Sequence, residues 1–451
     1  MNMTDQAIAT SETEVSNKVI PWAELVLFIS DMKYLNMNRV RNLSDIFHKV
    51  SVLAPAGTPE ELPEDVQWKQ YHPESSRAEI WNNQLKTTDK EWVLFIEDDE
   101  EIKFTDFPQP EVLNEKLWAP ALINREEGER VNQFYQIRLV YNTGEAVFQG
   151  RNLPDCTHYI TSNGIELLNT PVQLDRSSQL FENVDPNVEF SIASYAPQTY
   201  LVEGHRYFKE GKYNYAAAQY RQLLKAKKLL PFDRLAAVNG LASCMAERFK
   251  WANALSLTEQ SLQAESLQNI PNLIEYRIYQ LKQQWDKAFE ALSRYHESLE
   301  LHTRSSFDVK LSEEETLINL ADLALKSDQR ERASEYLNEF FKIKNGDVDP
   351  SFVKKLLVLC IDLHDKSKSE FYFTRLFEGR YPDQLDQEGK EDLNDFMSLF
   401  MKNEWYEFVY NIYNELFDEH PDEDEFRRRL IVVSMKTNRL EQARRLAAKV
   451  A

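Results

Sequence analysis

A short pattern returns at near-regular distances through the second half of this chain, and it limits the possible folds more than any other feature. Tyr213 stands three residues before Ala216 in "GKYNYAAAQYRQLL", and Trp251 three before Ala254 in "FKWANALSLTEQSL". Trp285 stands three before Ala288 in "QQWDKAFEALSRY", and the Trp251–Trp285 and Ala254–Ala288 intervals are both 34 residues. "RERASEYLNEFF" supplies Ala333, "NRLEQARRLAAKV" supplies Leu440 and Ala443, and "NEWYEFVYNIYNELF" offers Trp405 and Phe408, the latter 35 residues before Ala443. Self-similarity at such a period marks a supersecondary unit that buries its apolar face by stacking on copies of itself. Small residues let two helices approach closely, and aromatic residues fill the gaps around them. The pattern predicts all-α repeats over 198–451. An insertion is expected near 296–315, where the interval widens to 45 residues, and a poorly matching copy in "SFVKKLLVLCIDLHDKSKSEFYFTRLF".

The period and the helix-turn-helix unit resemble the tetratricopeptide repeat. Gly204 and Tyr207 upstream of Ala216, and Ala242 and Met245 upstream of Ala254, extend the resemblance. It implies a solenoid whose concave groove holds a protein partner and carries no catalytic chemistry. His205, His296, His302, His364 and His420 are scattered without ligand spacing. The basic run Arg427, Arg428, Arg429, Arg439, Arg444, Arg445 and Lys449 reads first as a solvated capping helix, and second as a dock for an acidic partner or another copy.

Before residue 195 the punctuation differs. Strand-length apolar runs occur at 23–30, 49–55, 91–98, 131–142 and 146–150, with helix-like stretches between the first three. Alternation of strand and helix predicts a mostly parallel α/β sheet. "YNTGEA" reads as a hairpin turn joining the last two runs. The expected division is a flexible segment over 1–17, an α/β domain over 18–195 and helical repeats over 198–451.

Charge and cysteine content narrow the partners. A net charge of -21 repels phosphate backbones and anionic lipid, so nucleic acid is not expected. No apolar run reaches the length of a membrane span. Cys156, Cys244 and Cys360 are far apart and odd in number, which fits a reducing compartment. The polar, acidic first residues lack a signal-peptide pattern. Together these features make a cytoplasmic location the expectation.

One stretch carries potential chemistry. "EWVLFIEDDEEI" runs an apolar strand into five carboxylates. Ligands of open α/β sheets bind beyond the carboxyl ends of strands, and hard oxygen ligands there suit magnesium or manganese. The longer segment "IWNNQLKTTDKEWVLFIEDDEEI" resembles the core of glycosyltransferase family 2, with its GT-A fold. Asn82 matches the family asparagine, Trp92 to Ile96 the strand, and Glu97, Asp98 and Asp99 the Asp-x-Asp triplet, followed by Glu100. Arg138, Leu139 and Gly150 match a later stretch. The resemblance implies that Asn82 and Asp98 contact a nucleotide-sugar. It also implies that Glu97 and Asp99 hold Mn2+ or Mg2+ on its diphosphate. This chain departs from the pattern in two places. Ala54 stands where a base-binding aspartate belongs, and Asn152 and Leu153 stand where His-Glu is common. Asp155 and Glu166 are the replacement candidates for a catalytic base. Two functions stay open: an interaction scaffold with a weakened or inactive donor site, or a metal-dependent transferase whose acceptor the repeats present.

Overall fold

The computed structural model describes residues 20–55, 57, 59, 61–105, 107–127, 130–168, 170–177, 189, 197–266, 268–298, 308–309, 311–344, 348–377 and 387–448. The expected flexible segment 1–17 lies outside them. The chain divides into two compact units, Met1–Ser312 and Glu313–Ala451.

The first unit opens with β1 (Ala23–Phe28), α1 (Met37–Ile46), β2 (Val50–Ala54), β3 (Val66–Gln70), α2 (Arg77–Thr87) and β4 (Trp92–Glu97). All residues of β1, β2 and β4 are buried, as the continuous apolar runs demand of strands covered on both faces. The two helices start where local chemistry satisfies their first N–H groups. Asn36 accepts from Asn38 and Arg39 at α1, and Ser76 with Glu79 forms a capping box at α2. β3, β2, β1 and β4 pair in parallel in that order, and β9 (Leu139–Tyr141) closes the sheet antiparallel to β4.

A second, mixed sheet was not legible in the sequence. It contains β5 (Glu100–Lys103), β7 (Ala121–Glu127), β8 (Arg130–Gln136), β11 (Val172–Arg176) and β12 (Asp308–Val309), in the order β12-β8-β7-β11-β5. β6 (Leu117–Trp118) and β10 (Glu166–Leu167) form a small parallel pair, and α3 (Thr157–Asn163) precedes β10. The run predicted as one strand over 131–142 breaks at Ile137–Arg138, so β8 lies in the second sheet and β9 in the first. The predicted strand at 146–150 is absent. Asn82 takes its backbone instead, accepting from Val147 and Phe148 and donating to the Phe148 carbonyl, each at 2.9 Å.

Among the described residues this unit also holds three helical hairpins: α4 (Pro197–Lys209) with α5 (Tyr213–Leu224), α6 (Pro231–Glu247) with α7 (Trp251–Ala264), and α8 (Asn269–Leu281) with α9 (Trp285–Glu297). One apolar core runs from Ile20 through both sheets to Ile278 on α8, and Tyr135 of β8 stacks on Phe232 of α6 at 5.4 Å. The second unit holds four more hairpins: α10 (Glu313–Lys326) with α11 (Arg330–Lys344), α12 (Pro350–Asp362) with α13 (Lys366–Phe377), α14 (Gln387–Lys402) with α15 (Tyr406–Glu419), and α16 (Asp424–Lys436) with α17 (Leu440–Ala448). None of the helices among the described residues is long and apolar enough to cross a membrane.

All seven hairpins among the described residues turn in the same way. Gly211, Phe249, Gln283, Asp328, His364, Glu404 and Asn438 occupy the left-handed region, with φ between 55° and 71°. The next residue donates to the carbonyl five positions back, from Lys212 to Tyr207 at 2.8 Å through Arg439 to Ser434 at 2.8 Å. That is the 6→1 bond of a Schellman cap, which satisfies helix-end carbonyls and reverses the chain. Five residues after each turn residue comes the buried contact: Ala216, Ala254, Ala288, Ala333, Ser369, Val409 and Ala443. Val409 therefore takes the place the spacing gave to Phe408, and Ser369 supplies the copy that matched poorly. Their chemistry differs from alanine, but both are compact enough for close helix approach.

Tyr220, in the middle of α5, lies under two glycines. A Cβ on Gly204 would come within 2.6 Å of its ring, and one on Gly240 within 2.5 Å. Because Tyr220 is only 2% exposed, the ring cannot swing away. Gly240→Ala should lower stability by about 1 kcal/mol or more despite alanine's helix preference of about 1 kcal/mol. Urea unfolding checks this, and in a Tyr220→Leu background the same change should become neutral or stabilising.

Candidate functional site

The carboxylates that close β4 lie where the two sheets meet. Glu97 ends β4 in the first sheet, Asp98 and Asp99 make the turn, and Glu100 begins β5 in the second. Glu97 is 4% exposed and Glu100 fully buried. Buried charges need partners, and arginine answers them here. Glu97 pairs with Arg77 at 2.8 Å, Arg176 at 3.1 Å and Arg138 at 3.2 Å. Glu100 pairs with Arg138 at 3.1 Å and Arg176 at 3.4 Å, and accepts the Glu97 backbone N–H at 2.9 Å. Arg176 also binds Asp99 at 3.0 Å. Asp98 accepts both the N–H and the hydroxyl of Ser30 at 2.7 Å. Arg39 of α1 donates to the carbonyls of Glu97, Asp98 and Glu100, pinning the turn's backbone.

Four elements deliver these guanidiniums: α1, the first residue of α2, the break between β8 and β9, and the last residue of β11. Arg138 explains why the chain breaks there. Its side chain is 1% exposed, its guanidinium carbon lies 4.9 Å from the Trp81 ring centroid, and its charge faces both buried glutamates. Sequence reasoning singled out Arg138 but missed Arg39, Arg77 and Arg176. They sit in "MNRVRN", "SSRAEI" and "LDRSS", with no spacing that links them to the acidic run.

Burial pushes Glu97 upward, but attraction to Arg77, Arg176 and Arg138 wins and brings it down to about 2. Burial wins at Glu100 and raises it. Glu97 is thus the ionised centre of the cluster. Beside the cluster, at the carboxyl ends of β1 and β4, lies a cleft of about 500 Å³ that Tyr34, Asn36, Asp98, Asp99 and Asn124 help to line. In the order 3-2-1-4 this is the switch point of an open sheet, the usual place for a ligand.

The sequence-predicted residues separate. Asp98 and Asp99 face the cleft, while Glu97 is buried under arginines. Asn82 is 9% exposed and spends its amide on Val147 and Phe148. Glu166 is exposed on β10, and neither it nor Asp155 is among the cleft's lining residues. Among the described residues no three His, Cys, Asp or Glu side chains are arranged to hold a metal ion. The three cysteines are unpaired and buried.

Asp155 belongs to a different cluster. It is 7% exposed, accepts the Thr157 N–H at 2.7 Å, and lies near Asp233 at the start of α6, which is fully buried. Burial first, and the Asp155 charge second, raise Asp233 well above the ordinary carboxylate range.

No protein-family model matches this chain, and no curated protein does either. Solved structures overlap it in part. A tetratricopeptide repeat protein from Parabacteroides merdae is 12% identical over 56% of this chain and 91% of its own, with a TM-score of 0.36. Pseudomonas aeruginosa PilF is 15% identical over 51% of this chain and 95% of its own, at 0.33. YrrB, a TPR protein with an unusual peptide-binding site, is 12% identical over 45% of this chain and 91% of its own, at 0.31. Overlaps of this size assign no activity and no site.

Two pH effects follow. Glu97 is held below its ordinary 4.5, so its contribution to stability is present above that pH and lost as pH falls towards 2. Melting temperature should fall over this window, and Glu97→Gln should flatten that fall while lowering the value at pH 7. Asp233 is raised, so it stays protonated when folded while the unfolded chain ionises above about pH 4. Asp233→Asn should therefore raise the melting temperature at pH 7 and leave it unchanged at pH 3.

Proposed function

We propose that this chain is a protein-interaction scaffold: a reduced glycosyltransferase-like sheet region carries tetratricopeptide-like hairpins that hold a partner. One observation carries the reading. The glutamate best placed to complete a metal site, Glu97, has both carboxylate oxygens on arginines, with three guanidiniums within 3.2 Å. For a cation to bind there, those ion pairs would have to break. Losing one partner of a buried pair costs about 3–5 kcal/mol. Asn82 is likewise committed to backbone, and Ala54 brings no carboxylate to the end of β2. The hairpins, by contrast, have no need of chemistry to act, because stacked helix pairs present an extended concave surface.

The second reading is an active metal-dependent transferase, with Asp98 and Asp99 facing a nucleotide-sugar in the cleft at the β1–β4 switch point. The volume and location of that cleft favour it, and Asp99 lies at its edge with 18% of its side chain exposed. Asp155 or Glu166 as base would require movement towards the cleft.

Ligand that binds only the folded state raises the melting temperature. The full chain and its Asp99→Ala variant, heated with MnCl2 and a panel of nucleotide sugars, should show no donor-dependent rise in either protein. A rise that needs both manganese and Asp99 would replace the scaffold reading by the transferase one.

A further inference from the structure

α4, α6 and α8, the first helices of the three hairpins in the first unit, line a groove of about 560 Å³. Its floor is apolar, with Tyr220, Ile274 and Ile278, and its rim carries Phe249 and Leu281, which are 74% and 63% exposed. Among the described residues Phe249 makes one edge contact, to the Trp251 ring at 6.2 Å between centroids, and is otherwise open to water. Its position is the left-handed turn residue of a hairpin, filled in the six others by Gly211, Gln283, Asp328, His364, Glu404 and Asn438. Glycine and small polar residues tolerate that conformation, while a bulky apolar residue there is a rare outlier. Phe249 bears this cost and still exposes three quarters of its surface to water.

The charge of the segment that builds the groove runs against that of the chain. Residues 197–282 hold twelve Lys and Arg against seven Asp and Glu, net +5, within a chain of net charge -21. Lys209 and Arg277 stand on the groove wall, and Glu247 is the one carboxylate among the lining residues. Neither cation has a carboxylate partner among the described residues, and the charge that Lys209 feels is Arg125, another cation. Lys282 lies over the Trp251 ring, 5.3 Å from its centroid, beside Phe249.

We infer that this groove docks an acidic peptide segment of another protein, anchored by an aliphatic or aromatic side chain against Phe249 and Leu281, with its carboxylates on Lys209 and Arg277. The assignment rests on the scaffold reading and adds the partner's chemistry. A rim aromatic supplies area, and unpaired cations supply specificity against neutral or basic sequences.

A phage-displayed dodecapeptide library selected on the full chain tests this. Enriched peptides should carry at least two carboxylates near a Leu, Ile, Phe or Trp. A labelled synthetic peptide of the consensus should bind Phe249→Asn and Arg277→Glu at least tenfold more weakly, and wild type more weakly as salt rises. Asparagine already serves at Asn438, so Phe249→Asn keeps the turn, and unchanged circular dichroism verifies it. Neutral or basic peptides that still depend on Phe249 would overturn the charge assignment and leave the scaffold reading intact. Peptides indifferent to both variants, or no enrichment, would overturn the groove assignment. The donor-panel melting experiment judges the scaffold reading separately.

Discussion

The sheet region depends on a largely buried exchange of charge between three carboxylates, Glu97, Asp99 and Glu100, and three arginines, Arg77, Arg138 and Arg176. Two sheets of different topology meet along one turn, and a strand crosses from one to the other at Arg138. Apolar packing alone would leave that crossing free to slide, because hydrophobic contact has no direction. The ion cluster gives it one. Each guanidinium arrives from a separate element, so α2, the strand break and β11 must all be in register before Glu97 and Glu100 are neutralised, while Arg39 of α1 pins the turn's backbone. Burying charge is costly, and the return is geometric specificity more than stability.

The hairpin half was legible because its physics is local. A left-handed residue, a bond back to the carbonyl five positions earlier and a compact residue five positions later recur in every copy, and short-range spacing reports them. Spacing is less informative where the compact residue is not alanine: it points to Phe408 beside the buried Val409, and offers no alanine in the copy built on Ser369. The first parallel strands were equally plain, since each is a continuous apolar run. The second sheet escapes local reading because β5 and β11 are short, carry adjacent charges at Glu100–Glu101 and Asp175–Arg176, and pair with segments far away in sequence.

The candidate site was legible only by half. The acidic run announces itself in twelve residues, but what it does is decided by Arg39, Arg77 and Arg176, separated from it by between 20 and 79 positions. Local sequence cannot distinguish carboxylates waiting for a metal from carboxylates already neutralised. Asn82 teaches the same point: a matching residue in a matching helix proves to be a staple for Val147 and Phe148. Both the acidic run and Asn82 are held by tertiary contacts that short-range spacing does not report.

Under the proposed scaffold reading, internal ion pairs hold the sheet region in register, while the groove of α4, α6 and α8 presents Lys209, Arg277 and Phe249 to a partner. The central claim is that Glu97 serves architecture, and a double-mutant cycle measures it most directly. Glu97→Gln, Arg138→Met and the double variant should give a coupling energy of about 2 kcal/mol or more by urea unfolding, unchanged by manganese. Additivity within about 0.5 kcal/mol, together with manganese-dependent stabilisation of the wild type alone, would contradict it.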